Sequence, residues 1–107
     1  MKFLSIKSLA AVALIATPAF ATTASAEDVT WAAVAGSSCF ACHGAAGAGA
    51  GSVVGLAGYP EDLMVSQMKA FRDGQRPATV MNRHAKGYTD EEIAAISAWI
   101  AQNTAQN

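Results

Sequence analysis

The chain has 107 residues, 52% of them apolar, and its seven Lys and Arg against eight Asp and Glu give a net charge of −1. That length admits one small domain with a thin core. The charge balance excludes the clustered cations that nucleic acid or anionic lipid would need.

The first residues have the pattern of a secretory signal. Lys2 and Lys7 form a positive start, Leu9 to Ala16 an apolar run, and Ala24-Ser25-Ala26 a small-residue cleavage site. Ala19-Phe20-Ala21 is a competing site that would place the cut before Thr22. The apolar run is shorter than the roughly 20 residues of a spanning helix, so cleavage and export to the periplasm are predicted over a membrane anchor. Residues 1–26 are then the signal and residues 27–107 one domain. Loss of Lys2 and Lys7 leaves five basic residues against eight acidic ones, a net charge of −3.

In the mature segment, Glu27 to about Phe40 is predicted as a short helix capped by Asp28, with Val29, Trp31 and Val34 among its apolar residues. It leads into Cys39-Phe40-Ala41-Cys42-His43. Two thiols three apart followed at once by an imidazole form the haem c attachment pattern. On a helical turn, positions i, i+3 and i+4 share a face, so both sulfurs can bond the vinyl groups of one haem while His43 reaches its iron. A redox disulfide is the alternative reading of the CxxC pair, but no alternating strand accompanies it. Zinc would need two further ligands, and only His84 remains besides His43. A domain of this size needs a staple, and haem would supply the buried apolar area that its many alanines and glycines cannot.

Gly44 to Gly58 contains six glycines and five alanines, a composition shared by linkers and tightly folded loops. A loop wrapped around a ring edge is expected, because no second domain follows for a linker to serve. Glu61 to Asp73 opens with acids and stops at Gly74, which predicts a helix with Leu63, Met64, Gln67, Met68 and Phe71 on or near one side. Gln75 to Tyr88 is predicted as a loop. Thr89 and Glu92 then fit a capping box, and Ile93, Ile96, Trp99 and Ile100 form the apolar stripe of a last helix. The fold class is all-α.

With His43 on one side of the iron, Met81 is the expected ligand on the other, because it lies in the irregular segment before the last helix. Met64 and Met68 are four apart in an amphipathic helix and read as core. His84 is the rival to Met81, and an open or water-ligated iron is the third possibility. A His/Met pair raises the reduction potential and leaves no position for substrate, which suits electron transfer. The other ring nitrogen of His43 should donate to a carbonyl, with the backbone of 53–56 as the expected source.

These motifs in this order, CxxCH, a glycine-rich loop, Leu56-Ala57-Gly58, Met81 and an aromatic C-terminal helix, resemble the class I cytochromes c over the whole mature chain. The wording Gly58-Tyr59-Pro60-Glu61, then Gly74 to Met81 and Ala85-Lys86-Gly87-Tyr88, is similar to the cytochrome subunit of flavocytochrome c sulfide dehydrogenase. The resemblance implies three main helices and loops around one covalent haem c. It implies thioethers at Cys39 and Cys42, a proximal ligand at His43, a distal one at Met81 and a propionate contact at Arg76. It also implies a flavoprotein partner, the FAD-containing sulfide dehydrogenase, as electron donor. Two residues depart from the pattern: Val54 stands where many relatives have proline, and His84 where these subunits carry an aliphatic residue.

The expected function is therefore a periplasmic electron carrier and not an enzyme. A free shuttle between another dehydrogenase and a terminal oxidase or reaction centre is the alternative. A haem enzyme or sensor with an accessible sixth position is the alternative of another class. No flavin fingerprint or nucleophile–base pair appears in the chain.

Overall fold

The computed structural model describes residues 30–104. Both cleavage sites and the predicted helix start at Glu27 lie outside the described residues. Among the described residues four α-helices follow one another: α1 (Trp31–His43), α2 (Glu61–Arg72), α3 (Met81–Ala85) and α4 (Asp90–Asn103). Among the described residues the only β pairing is an isolated bridge between Ala50 and Val53.

The first helix differs from the sequence expectation at its C-terminal end. It is capped by Thr30, whose Oγ1 accepts from the Ala33 N–H at 3.2 Å; the expected cap, Asp28, lies outside the described residues. It also runs beyond Phe40 through the whole CxxCH segment, since nothing breaks it before Gly44, which turns the chain with φ +86°. The attachment motif is thus the last turn of α1.

The acids Glu61 and Asp62 open α2, and Lys69 and Arg72 close it, each complementing the helix dipole. The predicted loop 75–88 contains α3, a correction with a simple cause: five residues are too few to show a helical period. At Thr89 the capping box is present, with Thr89 Oγ1 accepting from Glu92 N–H at 3.2 Å and Glu92 Oε2 accepting from Thr89 N–H at 2.9 Å.

Packing is organised on α4, which contacts both α1 and α2, while α3 lies on α2. Against α1 the approach is close at Gly36, where a Cβ would stand 3.0 Å from Cζ3 of Trp99. The Trp99 ring also packs on Phe40, with centroids 5.9 Å apart. Against α2, Ile96 and Ile100 cluster with Met64. Asp90 joins the start of α4 to the end of α2 through Lys69 Nζ at 2.8 Å and Arg72 Nη1 at 2.7 Å.

Candidate functional site

The site starts from the last turn of α1. Cys39 is half-buried, Cys42 exposed and His43 buried with 8% exposure. The two sulfurs are not joined, and Cys39 Sγ donates to the Ala35 carbonyl at 3.4 Å. Burial pushes the Cys39 thiol pKa up, the N–H of its own backbone, which favours the thiolate, opposes this, and neighbouring Cys42 adds to the rise.

His43 is oriented by the loop that follows it. Its Nδ1 lies 2.6 Å from the carbonyl oxygen of Val54. A carbonyl only accepts, so Nδ1 carries a proton, and of the two neutral tautomers this contact selects the one with the lone pair on Nε2, the form a metal ligand requires. The acceptor falls within the expected 53–56 stretch.

The loop that brings Val54 there is folded on itself and is not an open linker. Gly49 N–H donates to the His43 carbonyl at 2.6 Å, and the N–H groups of Leu56 and Ala57 both donate to Gly47 at 2.7 and 2.9 Å. Gly44 permits this path, since its Cβ would overlap the Gly49 backbone.

Two adjoining cavities open beside this turn, of about 190 and 420 Å³. The larger falls in the range of small-molecule sites, roughly 300–1,000 Å³. Cys39, Cys42, His43 and Met81 all line it, together with Arg76 and His84. Cys39, His43, Arg76 and Met81 line the smaller cavity as well, which is closed on its inner side by Met64, Ile96 and Ile100. All of the predicted site residues are therefore on one connected space. Arg76 lies over the Phe71 ring, with Cζ 4.7 Å from its centroid.

Of the methionines weighed in sequence, Met64 is buried in the core cluster, while Met68 is half-buried and lines both cavities. Met81 stands at the first position of α3 and not in a loop. Sequence reasoning passed over Ser97, which is buried at 2% exposure and lines the inner cavity beside Gln67. Its place four residues after Ile93 on the apolar stripe was the available signal.

Apolar walls, paired unjoined thiols and an imidazole held through its Nδ1 fit a covalently held haem. The sequence profile of the family described as Cytochrome c matches residues 32–104. Among similar proteins, the "Cytochrome subunit of sulfide dehydrogenase" of Chlorobaculum tepidum is 36% identical over 70 residues, 65% of this chain and 64% of that protein. The "Thiosulfate dehydrogenase electron acceptor" of Thiomonas intermedia is 36% identical over 81 residues, 72% of this chain and 37% of that protein. "Cytochrome c-554(548)" of Halomonas halodenitrificans is 42% identical over 65 residues, 57% of this chain and 78% of that protein. The chain thus spans less than two thirds of the length of the first two relatives. Its profile match, its helical fold and its CxxCH turn agree: the chain belongs to the cytochrome c family, as an electron-transfer protein that carries haem c covalently.

Proposed function

We propose that this chain, exported and trimmed to residues 27–107, works in the periplasm as the one-electron acceptor of a dehydrogenase that oxidises reduced inorganic sulfur, with a sulfide-oxidising flavoprotein as the leading candidate. In this reading Cys39 and Cys42 form the thioethers, His43 Nε2 and the Met81 thioether ligate iron, and Arg76 contacts a propionate. The observation that carries the site assignment is that Cys39, Cys42, His43 and Met81 line one cavity. The names of the Chlorobaculum and Thiomonas relatives support the partner class.

Haem supplies a one-electron couple when bound. The protein's part is to fix that couple. The Val54 carbonyl keeps the His43 tautomer and ring orientation, which raises the basicity of the ligating nitrogen. The Met81 thioether favours the reduced state, and the apolar wall of Met64, Ile96 and Ile100 keeps water from that side. Oxidation of sulfide to the zero-valent level releases two electrons, whereas one haem accepts one. A flavin partner that holds the second electron meets this requirement.

The test is the visible spectrum of the gently isolated native protein before and after sulfide. Flavin absorbance beside haem c, with haem reduced by sulfide, supports the reading. A haem spectrum without flavin, unmoved by sulfide but reduced by a different dehydrogenase, establishes a free shuttle instead. Replacing Met81 by Ala should lower the potential by more than about 60 mV, a tenfold change in the one-electron equilibrium. An unchanged potential removes Met81 from the site.

A further inference from the structure

We propose that His84 is a latent ligand for the iron, one helical turn from Met81 and able to take the sixth position when the thioether is lost. The inference rests on the assignment of Met81 as the resident ligand. Both residues line the larger cavity. They are three apart on α3, so their Cβ atoms are neighbours on one helix face, about 5–6 Å apart. No described residue bonds to the His84 side chain, which is exposed and able to turn.

The spacing of the two residues makes the exchange a small motion. At 100° per residue, Met81 and His84 are separated by about 60° around the helix axis. A roll of that order brings one in place of the other. On the same count Ala85, which has no exposure, stands about 40° from Met81 on the flank away from His84, and half-buried Asn82 about 100°. The start is less constrained: Val80 provides no side-chain cap, and 75–80 carries no helix or strand. Met68 is the other thioether on the same walls, but it belongs to the twelve-residue α2, whose packing on α4 resists such a roll.

The exchange is balanced without a redox partner. One coordination bond, iron to the sulfur of Met81, breaks, and one from the neutral imidazole nitrogen of His84 forms. Written for the neutral imidazole, the exchange moves no electron and releases no proton. The outcome is a change from a His/Met to a His/His site, and so to a lower potential.

The test uses holoprotein of Met81→Ala and of Met81→Ala/His84→Ala, read by electron paramagnetic resonance of the ferric form and by titration with free imidazole. Should Met81→Ala not accumulate, Met81→Leu removes the sulfur at similar volume and is read the same way. The single variant is expected to be low-spin with two nitrogen ligands, and the double variant high-spin. Because a tethered imidazole competes at an effective concentration in the millimolar range, the double variant should bind added imidazole at least about tenfold more tightly than the single one. A single variant that is high-spin and binds imidazole as tightly as the double variant overturns the proposal. So does a single variant that keeps a thioether signature through Met68. A single variant identical to the native protein in spectrum and potential instead overturns the assignment of Met81.

Discussion

Replacement of Gly36 by Ala sets two effects of opposite sign against each other in α1. In a helix interior, Gly→Ala stabilises by about 0.8–1.0 kcal/mol through propensity. At this position the new Cβ would stand 3.0 Å from Cζ3 and 3.2 Å from Cδ2 of Trp99, and closer still to Cε3. The ring is stiff and backed by Phe40, so the strain falls on the α1–α4 spacing. Overpacking of this kind typically costs about 1–3 kcal/mol, and a stiff aromatic places it in the upper half of that range. The net expectation is destabilisation by about 1–2 kcal/mol, a fall in Tm of roughly 5–15 °C for a domain of this size. Guanidinium unfolding of the holoprotein followed by circular dichroism measures it. The control is the same substitution in a Trp99→Leu background, where the clash is relieved and propensity should dominate, reversing the sign. A Gly36→Ala protein as stable as the native one, with no coupling to Trp99, would refute the close helix approach.

Three further outcomes follow from the geometry. Thr89→Ala removes the side-chain half of the capping box and should cost about 1 kcal/mol in denaturant unfolding; an unchanged midpoint would mean that α4 starts elsewhere. The Asp90 carboxyl is held below the usual carboxylate range by hydrogen bonds from Lys69 and then Arg72. Its folded pKa is therefore below the unfolded value near 3.9, so its contribution is present above that pH and lost as pH falls through the folded value. The stability difference between native protein and Asp90→Asn should exist at neutral pH, shrink with added salt and disappear in acid; a difference that grows on acidification contradicts the assignment. Finally, Cys39→Ala/Cys42→Ala should be colourless with strongly reduced helical ellipticity. Full native ellipticity in that variant would show that the core does not depend on haem.

Much of the site was legible because its chemistry is local. Cys39, Cys42 and His43 are consecutive enough for one helical turn to bring them together, and Thr89 and Glu92 announce the start of α4 by themselves. The Val54 acceptor was confined to a short stretch but not chosen, because its place depends on turns set by Gly44 and by the bonds from 49, 56 and 57 to the backbone. The helical state of Met81 was missed: α3 is stabilised by contact with α2, not by a periodic sequence. Thr30 was not singled out as a cap, although its Oγ1 accepts the hydrogen bond from Ala33 N–H. Ser97 was hidden by its polarity within an otherwise apolar stripe.

The buried apolar residues explain why the site and the fold cannot be separated. Among the described residues they are Met64, Ala85, Ile93, Ile96 and Ile100, a small set for a domain that must offset its chain entropy. Met64, Ile96 and Ile100 are at the same time walls of the inner cavity, so the side chains that hold α2 to α4 are those that surround the cofactor position. Filling that space with haem completes a core that the side chains alone leave open. In the proposed site the same contacts would exclude water and disfavour the additional charge of the oxidised iron, which would raise the potential. Ser97 and Gln67, polar groups on those walls, would act in the opposite direction by offering dipoles to that charge. A change at any of these positions must therefore move stability and potential together, whereas a change at Thr89 or Asp90, which are exposed and line neither cavity, should move stability alone.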